Sequence, residues 1–184
     1  IAYIVCGDPN IHLTYRLMNN LVEAGVDLIE LGVPFTDPIA DGTVIQKSIE
    51  RSLKKNTSIQ DALNVTKKFR KKNKHTPVVL MGYLNPIENL GYKKFAKLSL
   101  ACGVDGVLVV DSPPEESSIL TSTLKEKGVC NIFLASPTTD TNRLKNIVKE
   151  SSGYLYYVSL KGITGSKLKN FDSIKKNIKL INKI

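Results

Sequence analysis

The 184 residues contain no tryptophan, two histidines, two methionines and three cysteines. Aromatic residues make up 7% of the chain, too few for the stacking platforms that sugar- or base-binding surfaces use. Cys6, Cys102 and Cys130 are odd in number and far apart in sequence, which excludes a disulfide framework and a CxxC-type zinc or redox pair. Such usage suits a reducing compartment, cytoplasm or plastid stroma. Each cysteine lies in or beside an apolar run, where it acts as a small buried hydrophobe. No apolar run approaches the ~20 residues of a membrane helix; the best spans residues 77–84. The opening IAYIVC has no basic flank and no cleavage site, unlike a signal peptide.

Acidic residues are also scarce, 17 against 26 basic ones, for a net charge of +9. The basic runs are TKKFRKKNK at residues 66–74 and residues 161–183, where seven lysines face one aspartate. Such runs could neutralise phosphates. Both, however, lie on helix-like segments, and Ile174, Ile178 and Ile181 recur at i, i+4 and i+7. Lysines then fill the wet face of an amphipathic helix. Neither a nucleic-acid nor a membrane partner is expected.

At 42% apolar and 23% charged residues the composition is that of an ordinary globular protein, and the length predicts one domain. One unit recurs along the chain: a helix-like stretch, a glycine, a short β-branched run, then a proline. Gly25 leads through VDLIELGV to Pro34, Gly103 through VDGVLVVDS to Pro113, and Gly128 through VCNIFLAS to Pro137. Glycine is the usual helix C-terminal stop. Short apolar runs without strict alternation suit strands buried on both faces. Residues 1–6 (IAYIVC), VVLMGYLN before Pro86 and residues 154–159 supply three more. Leu13, Leu17 and Leu21 mark one intervening helix, Ile59, Ala62, Leu63 and Phe69 a second, and Leu144, Ile147 and Val148 a third. SPPE at residues 112–115 has capping-box spacing and predicts a helix start.

Strands and helices alternating about six times call for a parallel sheet, either doubly wound or a TIM (β/α)8 barrel. No GxGxxG follows the first strand and no GxxxxGK[ST] occurs, so the nucleotide-binding sheets lose their usual marker. Polar residues gather where strands end, among them Asp8, Glu30, Asp37, Asp41, Asn85 and Asp111, as on the catalytic rim of a barrel. The expectation is an α/β TIM barrel with about six of its eight β/α units in this chain. Residues 1–184 would form a single barrel domain, incomplete at both ends.

Glu30 sits inside a strand run, and alternation puts Leu28, Glu30 and Gly32 on one face. In a barrel that face points into the mouth. Poor solvation there favours the neutral acid, which suits a group that must both give and take a proton near neutral pH. The structural alternative is a glutamate paired with a Lys or Arg inside the fold. VPFTDPIADG at residues 33–42 follows directly, a proline-stiffened loop that can fold back and set Asp41 beside Glu30. Asp41 could equally cap a helix beginning at Gly42-Thr43, and Asp37 could form a turn before Pro38. Glycines in GITG at residues 162–165 free the backbone to curl around an anion or to form a plain turn.

The string ELGVPFTDPIADG at residues 30–42 resembles the signature of tryptophan synthase α subunits. GDP at residues 7–9, MGYLNP at 81–86, DSPPEE at 111–116, SPTT at 136–139 with Arg143, YLYYVS at 154–159 and GITG at 162–165 resemble further family motifs, in the family's order. The resemblance implies a TIM-barrel carbon–carbon lyase of tryptophan biosynthesis. Its expected reaction is retro-aldol cleavage of indole-3-glycerol phosphate to indole and glyceraldehyde 3-phosphate, with no cofactor or metal in this chain. It implies Glu30 as the acid–base and Asp41 as acceptor of the indole N–H. Tyr3, Tyr83, Leu108 and Asp111 would line the indole pocket or its rim, and Tyr156 would support loops and substrate. Thr164 would orient Asp41, and the Gly165 N–H would meet the phosphate. It implies an α2β2 assembly with a pyridoxal-phosphate-containing β subunit, contacted by the loop that holds Asp37.

In the family the phosphate is held largely by loops after strands seven and eight, which the motifs here do not reach. A longer gene product is therefore expected. A non-catalytic barrel subunit that binds a β subunit, and a stand-alone indole-releasing lyase, are the alternatives. Ala2, Cys6 and Ser112 stand where the family commonly has Pro, a small residue and Leu.

Overall fold

In the computed structural model, residues 1–158, 174, 175, 178, 179 and 181–183 are described. The chain alternates strands and helices from its first residues: β1 (Ala2–Val5), α1 (Ile11–Glu23), β2 (Ile29–Gly32), α2 (Thr43–Leu53), α3 (Ile59–Arg70), β3 (Val78–Gly82), α4 (Leu84–Leu90), α5 (Tyr92–Cys102), β4 (Gly106–Val109), α6 (Ser118–Glu126), β5 (Cys130–Ile132), β6 (Leu134–Ala135), α7 (Thr141–Glu150) and β7 (Tyr156–Tyr157). Each of the six apolar runs read from the sequence contributes strand. Gly25, Gly103 and Gly128, the expected helix stops, all take positive φ, which glycine adopts without the Cβ penalty other residues incur.

The fifth run is divided. β5 pairs with β4 and β6 with β7, with Phe133 between them. The carbonyls of Asn131, Phe133 and Ala135 accept from the N–H groups of Ser152, Tyr156 and Val158 at 2.8–3.0 Å. The run 130–135 thus offers one edge to β4 and the other to β7, so among the described residues seven assigned strands form six staves. All pairings are parallel, and the first sheet runs β1-β2-β3-β4-β5 without a reversal. A doubly wound sheet reverses its strand order at a switch point; unbroken sequential order is that of a TIM barrel.

Two apolar layers follow from strand alternation. Ile29, Leu31 and Val33 of the β2 run, with Val78, Leu80, Val107 and Val109, face outward against Leu63, Phe69, Phe95 and Leu124 of the helices. Val79, Leu108 and Ile132 face inward, joined by Leu28, Met81, Val110, Cys130, Leu134, Tyr154 and Tyr156. The helices at Leu13–Leu21, Ile59–Phe69 and Leu144–Val148 are α1, α3 and α7. Among the described residues of the last basic run, Ile174, Ile178 and Ile181 are helical. In α3, Phe69 is fully buried while Lys67 and Lys68 are exposed, the solvated basic face expected there.

One helix start departs from the sequence reading. α6 begins at Ser118 with Ser117 as its N-cap, not after Ser112. Pro114 disfavours helical backbone at Pro113. The Ser117 hydroxyl contacts the Ser112 hydroxyl at 2.7 Å and lies 2.7 Å from the Pro113 carbonyl, closing a turn in place of a helix.

At the opposite end of the strands from the polar rim, Arg70 ties the layers together. Its guanidinium donates to the carbonyls of Gly103 at 2.7 Å and Thr76 at 2.8 Å and pairs with Asp105. Asp105 in turn accepts from Val78 N–H at 2.7 Å. A lysine cannot make this fork of bonds. Arg70→Ala should cost about 2–3 kcal/mol of stability, the range for hydrogen bonds to charged groups, and Arg70→Lys should recover little of it. Urea unfolding of the whole protein measures both.

Candidate active site at the strand ends

Glu30 lies on the inner face of β2 and is 4% exposed. Its Oε1 accepts a 2.6 Å hydrogen bond from the Tyr154 hydroxyl. Among the described residues no Lys or Arg pairs with it; the ion pairs there are Arg51–Asp8, Arg70–Asp105 and Arg143–Glu115. The glutamate is therefore held by a neutral donor rather than by an opposite charge.

Asp41 ends the loop that follows β2. It does not cap α2: the N-cap is Gly42, with no side-chain capping bond. Its Oδ2 accepts from the Tyr83 hydroxyl at 2.6 Å, and the same hydroxyl accepts from Ala40 N–H at 3.0 Å. Tyr83 is 4% exposed and its ring lies 5.3 Å from that of Phe35. One phenol thus clasps both ends of the proline-rich loop. Half-burial pushes the Asp41 carboxyl above the ordinary aspartate value, and the Tyr83 hydroxyl opposes that rise. Asp37 forms a turn: Ile39 N–H donates to its carbonyl at 2.9 Å, and Thr36 donates to its Oδ2 at 2.5 Å.

Tyr3 comes from the inner face of β1 and packs over Gly32. A Cβ at Gly32 would lie 2.7 Å from the Tyr3 Cζ, so only glycine leaves the ring its place. Burial raises the Tyr3 hydroxyl well above its usual value, and Asp41, Tyr83, Glu30 and Tyr156 add to the rise. Burial likewise raises the hydroxyls of Tyr83, Tyr154 and Tyr156. All four phenols stay neutral and able to donate at physiological pH.

These residues, expected from five segments of the sequence, meet at the strand ends. Tyr3, Glu30, Asp41, Tyr83 and Tyr156 share one electrostatic environment. Leu108 is fully buried in the inner layer beneath them. Asp111 is exposed on the rim, where it lines a cavity of about 390 Å³ with Ser112, Ser136, Thr139 and Arg143. Thr164 and Gly165 lie outside the described residues. Tyr154 escaped the sequence reading. The signal for it was alternation: it lies two residues before Tyr156 and so on the same strand face. Among the described residues no group of three or more His, Cys, Asp or Glu could hold a metal ion. Cys6 and Cys102 are buried and Cys130 partly so, and burial pushes the Cys6 thiol up to about 12. Cys6 and Cys102 are packing residues whose burial disfavours the thiolate.

Comparison with known proteins agrees with this architecture. The family described as tryptophan synthase alpha chain matches residues 1–184. The tryptophan synthase alpha chain of Acinetobacter baylyi is 52% identical over 166 residues, covering 90% of this chain and 62% of the relative. That of Neisseria meningitidis serogroup B is 50% identical over 181 residues, covering 98% and 69%. A solved structure of the tryptophan synthase α2β2 complex from Pyrococcus furiosus superposes with a TM-score of 0.90 at 39% identity, covering 99% of this chain and 73% of that one. The chain spans roughly three fifths to two thirds of the length of the curated relatives it matches. With the barrel order, the two tyrosine-held carboxylates and a family match along the whole chain, this sequence belongs to the tryptophan synthase alpha chain family.

Proposed function

We propose that the whole protein is a lyase that cleaves indole-3-glycerol phosphate to indole and glyceraldehyde 3-phosphate, as the α subunit of a tryptophan synthase. The observation that carries this reading is the pair Glu30 and Asp41. Both are withdrawn from bulk water at the strand ends, and each is held by a phenol rather than a cation. Glu30 gives a proton to the indole C3, which makes the ring an electron sink. It then assists loss of the glycerol hydroxyl proton as the bond between C3 and the glycerol carbon breaks. The released fragments are indole and an aldehyde, and the carboxyl returns to its starting state. Asp41 accepts the indole N–H and stabilises the positive charge that the ring carries on the way. Tyr3, Leu108 and Tyr156 wall the indole, and Thr164 and Gly165 serve Asp41 and the phosphate. The chemistry needs no cofactor in this chain. Pyridoxal phosphate belongs to the β partner.

In the whole protein we place these residues in one barrel domain of eight units, working in a reducing compartment, cytoplasm or plastid stroma. Among the described residues no helix is long and apolar enough to cross a membrane. The partner is a β subunit in an α2β2 assembly, docked on the loop that holds Asp37. There Ile39 is 83% exposed, and Val44, at the start of the following helix α2, is 75% exposed, two neighbouring apolar side chains for a partner to cover. Ile39→Asp should weaken association with the β subunit at least ~10-fold, as loss of a buried interface anchor does. Titration calorimetry on the two purified subunits measures it, and unchanged affinity would move the interface elsewhere.

Indole release from indole-3-glycerol phosphate, with and without β subunit, tests the reaction. Glu30→Gln should abolish it and leave the fold intact by circular dichroism. Near-wild-type turnover of that variant would refute the mechanism. Asp41→Asn should lose at least ~10²-fold, as removal of one preorganised electrostatic partner does. Tyr154→Phe should lower kcat by roughly 10-fold or more, the equivalent of a hydrogen bond to a charged group.

The pH profile carries a separate prediction. Asp41 must be ionised to hold the ring, so activity falls on the acid side as it protonates, at a pH above the ordinary aspartate value. The Tyr83 hydroxyl holds that value down. Tyr83→Phe should therefore move the acid limb of kcat/KM to higher pH. A shift to lower pH, or none, would separate Tyr83 from the Asp41 titration.

A further inference from the structure

Asp111 was expected to line the pocket rim, and its carboxylate makes a contact that points to a different use. Its Oδ1 accepts a 2.9 Å hydrogen bond from the Leu84 N–H. Leu84 is the first residue of α4, whose N-cap, Tyr83, makes no side-chain capping bond of its own. The capping carboxylate is thus borrowed from the neighbouring stave, just beyond β4. There the strands are already in register, since Val110 N–H donates to the Gly82 carbonyl at 2.9 Å. Two bonds from the β4 end, one to Gly82 and one to Leu84, bracket Tyr83. That residue's hydroxyl holds Asp41 at 2.6 Å and Ala40 at 3.0 Å.

We propose that Asp111 is a positioning residue: by fixing the Tyr83–Leu84 peptide it aims the Tyr83 hydroxyl and so sets the carboxylate of Asp41. The path has three hydrogen bonds and one rigid ring; it begins at the exposed rim and ends on the half-buried Asp41 carboxylate. The ring cannot swing to compensate, because it is buried and packs against Phe35. A displacement of the peptide at Leu84 is therefore delivered to the hydroxyl. A backbone N–H needs only an acceptor, so the function lies in the carbonyl-type oxygen of Asp111 and not in its charge. This separates it from Glu30 and Asp41, where charge or proton exchange is the point.

The activity arm of the test rests on the proposed lyase reading; the structural arm does not. In the whole protein, Asp111→Ala should speed hydrogen–deuterium exchange at the Leu84 and Ala40 amides alike, each by about tenfold or more, as release of a local hydrogen-bonded unit does. Asp111→Asn keeps an acceptor oxygen and should return both amides to wild-type rates. Tyr83→Phe should release Ala40 alone, and adding Asp111→Ala to it should then leave Ala40 unchanged, the mark of two residues on one path. In the indole-release assay Asp111→Ala should lower kcat with KM near wild type, and Asp111→Asn should restore it. Faster exchange at Leu84 with Ala40 and kcat unchanged would reduce Asp111 to a local cap and overturn the proposal. If the wild-type protein releases no indole, the lyase reading fails, and the response of Ala40 alone decides the positioning role.

Discussion

The hydrogen bond from Tyr154 to Glu30 constrains everything else in this fold. The two residues are 124 positions apart and sit on β2 and just ahead of β7. Between those staves lie β3, β4 and the run 130–135. Neighbouring strands are about 4.8 Å apart, so four steps across a flat sheet would separate the two backbones by roughly 19 Å. A tyrosine and a glutamate cannot close that gap to 2.6 Å. The sheet has to curl, with both residues on the concave side. Curling in turn requires the concave side to be filled, which Val79, Leu108 and Ile132 do. It also requires the convex side to be clothed, which the helices do. One polar contact thus demands both apolar layers.

The choice of partner for each carboxylate sorts structure from proposed chemistry. Asp105 is taken by Arg70, and Asp8 by Arg51 through two bonds of 2.7 Å. The Arg51 guanidinium holds the Asp8 carboxyl below its ordinary range. For Asp8 that charge favours the ionised form, which suits a fastening rather than a proton carrier. Glu30 and Asp41 are instead held by phenols. A phenol orients a carboxylate but sets no full opposite charge beside it. Burial raises the hydroxyls of Tyr83 and Tyr154 and so keeps both phenols neutral donors at physiological pH.

Much of this was legible in the sequence because it is local. The glycine stops, the six apolar runs and the alternation that sets Leu28, Glu30 and Gly32 on one face depend only on neighbours in the chain. The loop from Val33 to Gly42 announced itself by composition. What escaped is what the curl creates. Tyr154 gains its meaning from β2, whose Glu30 lies 124 positions away in the chain. The division of the fifth run at Phe133 arises because its two edges serve different neighbours. Local spacing also misled once. Ser112 and Glu115 stand as in a capping box, but the prolines between them and the Ser117 hydroxyl close a turn first.

The same distinction separates the two ends of the barrel. At the end where the strands begin, Arg70 gathers carbonyls and a carboxylate into one knot of hydrogen bonds. At the end where they finish, the carboxylates of Glu30 and Asp41 are each set by one hydrogen bond from a phenol. Tyr83 shows why that works. Its backbone is placed by strand register and by the start of α4, outside the loop it clasps. The loop bearing Asp41 is long and irregular, yet its carboxylate is referred to a rigid stave through one buried ring. A loop anchored in this way can vary along most of its length, including the exposed Ile39, while the carboxylate at its end keeps its place.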